Sequence, residues 1–203
     1  MKVFVFDTET TGFINKKENN VNLQPSIIQF AGILGEIDEE KNWKDLEKVN
    51  ILINPKKTIP YESSQIHHIY DIDVKDAPFI EDIIDTILHY INTPDIIVGH
   101  NIEYDEDMIK LELKRLGREH DYRPKQICCT MKNTVNFCQI KGNGERFKYP
   151  KLGELHKHIF GEYFTGAHDA LVDVEATLRC FIELQQQEII KVAPKKEILM
   201  SLF

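Results

Sequence analysis

The order of apolar patterns along the chain predicts an α/β fold: a mixed sheet with helices on its faces. Three short β-rich runs come first, and the second half of the chain alternates helical and strand patterns. A length of 203 residues with 42% hydrophobic residues suits one domain with a core of ordinary size. We therefore expect a single domain over residues 1–190 and a tail over residues 191–203.

The first three strands are predicted from runs rich in β-branched and aromatic residues, at 3–6, 27–33 and 49–53. Two polar or charged stretches, 15–20 and 35–48, separate these runs. Such composition is typical of connections on the surface rather than of core.

After Pro78 the spacing of apolar residues changes from that of strands to that of a helix. Apolar residues recur there every three or four positions as far as Ile91, which predicts an amphipathic helix. Further helices are predicted from about 105 to 116 and at 131–137, 152–160 and 170–190, and strands at 95–99 and 127–130.

Asp7 and Glu9 follow directly after the first apolar run, and Gly12 closes the segment with a predicted turn. Residues two apart in a strand point to one face, so these two carboxylates project together and repel each other. A hard divalent ion such as Mg²⁺ or Mn²⁺ relieves that repulsion. The alternative is a strand end whose acids only face water.

Two later segments carry further polar groups. Asp105 lies near a predicted helix start, and His168 precedes the last predicted helix, with Asp173 five residues further on. An imidazole on a loop and a carboxylate on the following helix can reach one cleft. Taken singly, a residue such as His168 is more often a hydrogen-bonded surface histidine, and one such as Asp173 a solvated helix acid, so their value lies in the combination.

The formal charge of −8 speaks against a general nucleic-acid binder with a long basic footprint, but not against a local site. Four carboxylates holding two divalent ions would gain about four positive charges, all at the site itself. No secretory signal pattern or membrane-length apolar run is evident, so we expect a cytoplasmic protein. The spacing of the cysteines predicts reduced, packed thiols.

Three separated motifs give the chain a resemblance to a known family. Phe6-Asp-Thr-Glu-Thr-Thr-Gly12, His100-Asn-Ile-Glu-Tyr-Asp105 and His168-Asp-Ala-Leu-Val-Asp173 stand in the order of the DEDDh group of 3′-to-5′ exonucleases. This group includes proofreading subunits of DNA polymerase III and RNase T-like enzymes. Weaker similarity extends the resemblance over roughly residues 1–188.

The resemblance implies an RNase H-like sheet, with the first three strands antiparallel and the later strands parallel. It implies two divalent metal ions, Mg²⁺ or Mn²⁺, held by Asp7, Glu9, Asp105 and Asp173, with His168 as the general base. Asp7 is expected to bridge both ions, and Glu9 to reach the terminal 3′-hydroxyl. The implied reaction is hydrolysis of the last phosphodiester of single-stranded or mismatched DNA, which releases nucleoside 5′-monophosphates.

Substrate contacts are also implied by the resemblance. The backbone around Thr8, Thr10 and Thr11 is expected to approach the terminal nucleotide, and Phe13 either stacks on its base or belongs to the core. Asn101 is also expected to contact the substrate, and its alternative role is capping. His67 is a further expected contact, although it is followed by His68 where the family often has glycine.

Two segments suggest partners. The 141–151 loop mixes basic and aromatic residues, as single-strand binding loops do, but a solvated glycine-rich connection has the same composition. The apolar end at 198–203 resembles a sliding-clamp peptide without its usual glutamine, and folding back onto the domain is the alternative. A separate DNA polymerase is the expected partner in proofreading or repair. An RNA or oligonucleotide 3′-trimming enzyme and a non-catalytic nucleic-acid-binding module remain alternative functions.

Overall fold

Over the residues that the structure describes, the sheet of this protein has five strands: β1 (Lys2–Thr10), β2 (Ile27–Ile37), β3 (Trp43–Leu52), β4 (Ile96–Gly99) and β5 (Ile127–Cys129). The structure is a computed structural model that describes residues 1–144 and 146–193. The strand order is β3-β2-β1-β4-β5. Strands β1, β2 and β3 pair antiparallel, whereas β4 and β5 run parallel to β1. The predicted mixed sheet is confirmed.

Helices cover both faces of this sheet. The described helices are α1 (Tyr61–His67), α2 (Asp71–Val74), α3 (Ile80–Asn92), α4 (Ile102–Arg115), α5 (Thr130–Asn133), α6 (Val135–Cys138), α7 (Leu152–Phe160) and α8 (Ala170–Gln186). Two short 3₁₀ turns lie at Val21–Leu23 and Glu119–Asp121. Within the described ranges, none of the helices is long and apolar enough to cross a membrane.

Strand β1 divides the core into two layers because its side chains alternate between the faces of the sheet. Val3 and Val5 pack with α7 and α8 on one face, and Phe4 and Phe6 pack with α3 and α4 on the other. All four side chains are fully buried or nearly so. The odd-numbered face of β1 therefore leads towards α8, and the even-numbered face towards α4.

The charged stretch at 35–48 is mostly strand, so its prediction as a connection was wrong. Strands β2 and β3 form a hairpin that pairs as far as Ile37 with Trp43, and only residues 38–42 turn. Charge is tolerated because β3 is an edge strand with a solvent-exposed face. Gly35 is required for close packing here, since an added Cβ would lie 2.1 Å from the Trp43 ring.

Other boundaries differ from the sequence predictions. Helices α1 and α2 were not predicted, because both are too short for a clear period. The helix predicted at 131–137 is divided into α5 and α6 at Thr134. The last helix ends at Gln186 rather than at 190. The four cysteines are buried free thiols, as predicted (Cys128, Cys129, Cys138 and Cys180).

Candidate active site

Asp7 and Glu9 lie where β1 extends beyond its parallel neighbour. Strand β4 pairs only with Val3–Val5 of β1, so the following residues have β2 alone beside them. Both carboxylates lie on the odd-numbered face, which leads towards α8. The missing pairing on the other side leaves room for α4, which begins just after β4 ends.

Asp105 is placed by the first turn of α4 and is buried. Its Oδ1 accepts two hydrogen bonds from Thr8, one from the backbone N–H at 3.0 Å and one from the hydroxyl at 2.7 Å. The even-numbered face of β1 thus holds Asp105 through Thr8. This contact fixes the α4 carboxylate beside the two carboxylates of the strand.

Asp173 and His168 come from the start of α8. Asp169 caps this helix by accepting hydrogen bonds from the N–H groups of Leu171 and Val172. His168 lies just before the cap with a φ of +71°, and its backbone N–H donates to Oδ2 of Asp173 at 3.1 Å. In the described part of the chain, Oδ1 of Asp173 is buried without a hydrogen-bond partner.

The carboxylates raise one another's pKa values, in addition to the effect of burial. Burial raises the pKa of Asp7 well above its ordinary range, and Asp105, Glu9 and Asp173 raise it further. The pKa of Glu9 rises to about 8, first through burial and then through Asp173 and Asp105. For Asp7 and Glu9, burial and the neighbouring negative charges therefore act in the same direction, against the ionised carboxylates.

The pKa values of the other two carboxyl groups, Asp105 and Asp173, are raised as well. Burial raises the pKa of Asp105 to about 7, against the lowering effect of the hydrogen bonds from Thr8. Burial also raises the pKa of Asp173, while the backbone N–H and the charge of His168 lower it. An added cation would stabilise the ionised form of all four groups.

The geometry also gives His168 a second possible role. Glu9, His168 and Asp173 each offer a ligand atom, and these atoms lie within 4.8 Å of one another. A metal ion can therefore take the imidazole as a ligand, whereas the sequence predicts a general base. Asp105 lies close enough to this group to raise the pKa of Glu9 through its charge, and Glu9 and Asp173 in turn raise the pKa of Asp7.

The threonines predicted to bind substrate are buried, and their hydroxyls are engaged within the protein. Thr8 donates to Asp105, Thr10 donates to the Gly12 carbonyl at 2.9 Å, and Thr11 accepts the Ser26 N–H at 2.9 Å. The backbone of Thr11 is engaged as well, because its N–H donates to the Ser26 carbonyl and its carbonyl accepts from the Ser63 hydroxyl. Phe13 is 84% exposed, which excludes the core alternative for its side chain.

His67 and Asn101 differ in their surroundings. His67 is buried, its Nδ1 accepts the Ile69 N–H at 3.1 Å, and its Nε2 has no hydrogen-bond partner among the described residues. His68 takes the left-handed conformation in which glycine is usual, with a φ of +58°, so the turn forms without glycine. Asn101 is exposed with a φ of +69°, and its side chain makes no capping hydrogen bond to α4.

Sequence reasoning missed three residues around this site. Gln29 is buried opposite Glu9 and accepts the Ala170 N–H at the start of α8. Tyr104 contacts the turn at Gly12, and Asp169 caps α8. Asp169 had a recognisable signal, because aspartate before an apolar helical run is a preferred cap. The other two depend on contacts between distant segments.

Curated proteins similar to this chain include DNA polymerases of the PolC type. The chain is 28% identical over 184 residues to "DNA polymerase III PolC-type" of Staphylococcus epidermidis. It is 27% identical over 188 residues to the protein of that name from Caldanaerobacter subterraneus. These matches cover 90% of the chain but only 11% of each relative.

Solved structures with the same fold come from DNA exonucleases. The structure of Exonuclease X in complex with 5′ overhanging duplex DNA is similar over 93% of the present chain and 94% of the Exonuclease X chain, at 20% identity and a TM-score of 0.58. The zinc-bound E. coli ExoI–ssDNA complex matches 92% of the chain and 41% of its own, at 19% identity and a TM-score of 0.69. These likenesses show the fold. The family model described as "Exonuclease" (RNase T) matches residues 4–181, and the chain therefore belongs to this family of DEDD-type 3′-to-5′ exonucleases.

Proposed function

We propose that this chain is a metal-dependent exonuclease that hydrolyses the 3′-terminal phosphodiester of single-stranded or mismatched DNA and releases nucleoside 5′-monophosphates. The observation that carries the proposal is the unpartnered, buried Oδ1 of Asp173 within reach of Glu9 and His168. An unpaired carboxylate oxygen in a negatively charged cleft requires a cation or a proton. DNA is favoured because the relatives are DNA polymerases and the structural neighbours hold DNA.

The donor set fits hard divalent cations. Asp7, Glu9, Asp105 and Asp173 would hold two ions, Mg²⁺ or Mn²⁺, through carboxylate oxygens. Their raised pKa values support this assignment, because they report charge that the protein leaves uncompensated. When bound, the ions would polarise the scissile phosphate and stabilise the charge on the departing oxygen.

His168 is the proposed general base of the histidine subtype. Its imidazole is exposed to solvent, and its backbone is fixed to Asp173. The imidazole accepts a proton as a water oxygen forms its bond to phosphorus and the bond from phosphorus to the 3′ oxygen breaks. The departing 3′ oxygen takes a proton from solvent, so the shortened strand leaves with a new 3′-hydroxyl, and His168 returns the proton of the attacking water to solvent.

The terminal nucleotide is proposed to bind against the turn that follows β1. Phe13 offers an exposed ring for stacking on the base, and the backbone beside Thr8, Thr10 and Thr11 would lie against the terminal nucleotide. Asn101 offers an exposed amide near the α4 carboxylate. The Nε2 of His67 has no hydrogen-bond partner among the described residues. It offers a further hydrogen-bonding group to a ligand that enters beside it, or to one that it meets after rotation of its own side chain.

The upstream strand is proposed to follow the loop at 141–144 and 146–151. Its backbone turns back through a bridge between Lys141 and Phe147, which leaves the aromatic rings of Phe147 and Tyr149 exposed. The Pro150 carbonyl contacts the His100 imidazole at 2.9 Å, which ties this loop to the second motif. Cations and exposed rings suit a single strand.

The biological setting is proposed to be proofreading or repair beside a DNA polymerase. The PolC-type relatives support a polymerase partner, although the chain spans about a tenth of their length (11%). The proposed clamp peptide at 198–203 lies outside the described residues. Clamp binding measured by calorimetry before and after deletion of 198–203 tests it, and unchanged binding, or none in the intact chain, would end the idea.

The central experiment is a degradation assay on 5′-labelled single-stranded DNA, mismatched duplex and RNA, with Mg²⁺, Mn²⁺ or a chelator. Asp105→Ala should abolish activity, whereas Asp107→Ala, an exposed acid two residues along the same helix, should not. Activity that survives chelation would refute the metal assignment. Faster degradation of RNA would reverse the substrate choice, and DNA binding without degradation would favour a non-catalytic module.

A further inference from the structure

We infer that Tyr104 is a positioning residue whose hydroxyl fixes the turn that carries Phe13, and so sets how tightly the terminal base is held. The inference rests on the proposed function. Phe13 is 84% exposed and follows Gly12, whose φ of +147° few other residues adopt. An exposed ring on such a turn stacks effectively on a base only if the turn is held in place.

Hydrogen bonds from Tyr104 hold this turn. Its hydroxyl donates to the Gly12 carbonyl at 2.7 Å and lies 2.8 Å from the Thr10 hydroxyl. The Thr10 hydroxyl lies 2.9 Å from the same Gly12 carbonyl, and its single proton is donated either to that carbonyl or to the Tyr104 oxygen.

The aromatic ring of Tyr104 supports the same turn by packing. The rings of Phe13 and Tyr104 meet edge to face, with centroids 6.0 Å apart and planes at 63°. Tyr104 belongs to α4 and directly precedes Asp105. The helix that supplies a carboxylate therefore also fixes the distance from the cleavage site to the Phe13 ring.

Substitution of Tyr104→Phe tests the hydroxyl and keeps the ring. We expect KM for a short single-stranded DNA to rise about three- to tenfold, the effect of one hydrogen bond, with little change in kcat. The matched control is Tyr90→Phe, because the Tyr90 hydroxyl also makes a short hydrogen bond, to Glu47 at 2.6 Å on the β3 side of the sheet. The control should leave KM unchanged.

The same substitution in a Phe13→Leu background separates positioning from general stability. If Tyr104 acts through Phe13, its hydroxyl should have no effect on KM there, so the two changes are not additive. An unchanged KM in Tyr104→Phe, or an equal rise with and without Phe13, would overturn the inference alone. A wild-type protein that leaves 3′ ends intact would instead overturn the proposed function and this inference with it.

Discussion

Four carboxyl groups with raised pKa values make this site unusual at the scale of single residues. Asp7, Glu9, Asp105 and Asp173 stay together because β1, α4 and α8 are fixed by the core and not by the acids themselves. Their repulsion opposes folding whenever no cation is bound. Binding of divalent ions and stability of the fold are consequently linked.

The metal-free protein should lose stability as the pH rises from about 4 to about 8. The pKa of Glu9 is about 8 in the folded protein, compared with an ordinary value of 4.5, so the folded state binds more protons in this interval. Asp7→Asn removes one of the repelling charges. It should raise Tm by about 3–6 °C at pH 8 in the presence of a chelator, since 1 kcal/mol corresponds to about 2–4 °C in a domain of this size.

Thermal denaturation followed by circular dichroism at pH 4.5 and pH 8 measures this effect. At pH 4.5 the Tm of Asp7→Asn should differ little from that of the wild type. At pH 8 with saturating Mg²⁺, the Tm of Asp7→Asn should be lower than that of the wild type. Asp107→Asn, which removes an exposed charge, should change Tm little at either pH. A destabilised Asp7→Asn variant at pH 8 without metal would contradict the expected repulsion.

His168 should prove to be a base rather than a metal ligand. His168→Gln is expected to lower kcat by about 10²- to 10⁴-fold, the usual contribution of a general base. Its affinity for Mn²⁺, measured by calorimetry, should stay close to that of the wild type. A large loss of Mn²⁺ affinity would instead make the imidazole a ligand beside Glu9 and Asp173. The exposed His120 offers the control, and His120→Gln should affect neither quantity.

At the scale of elements, a buried polar side chain from the sheet holds the start of α8. Gln29 of β2 is 3% exposed; its Oε1 accepts the Ala170 N–H at 3.2 Å and its Nε2 donates to Asn50 at 3.0 Å. This contact joins two strands to the helix that carries Asp173. The same helix end is capped by Asp169.

Gln29→Leu should therefore destabilise the domain by about 1–3 kcal/mol, because it leaves the Ala170 N–H without an acceptor in the interior. Urea denaturation gives the free energy of unfolding directly. The control is Gln65→Leu on the exposed face of α1, which should leave the urea midpoint of unfolding almost unchanged. An unaffected midpoint in Gln29→Leu would mean that α8 is fixed by its apolar packing alone.

Elements with a clear period were predicted from the sequence, and short or edge elements were not. The helix at Leu152–Phe160 was placed correctly because its apolar spacing and capping signals agree. Strand β3 was missed over most of its length, because an edge strand with a solvated face lacks the apolar alternation that marks a strand. The expected tail boundary at residue 191 stays a prediction.

At the scale of the whole molecule, a formal charge of −8 opposes the approach of a nucleic acid. Two divalent ions would add about four positive charges at the place where the strand must end. DNA binding by this chain should accordingly depend on divalent ions and not only on the basic loop at 141–151.

The inactive His168→Gln variant allows that dependence to be measured without degradation. Its affinity for a labelled single-stranded DNA, followed by fluorescence anisotropy, should be about tenfold or more higher with Mg²⁺ than with a chelator at matched ionic strength. Equal affinities under the two conditions would show that the strand is held by the protein's own cations.

The sequence by itself determined the family and predicted the carboxylates of the candidate site. Three motifs in a fixed order name Asp7, Asp105 and Asp173, because the chemistry restricts the residue type at each position. Their burial, the unpartnered oxygen of Asp173 and the roles of Gln29 and Tyr104 were decided only by the tertiary structure. These properties depend on which distant segments meet, and a local pattern carries no information about such contacts.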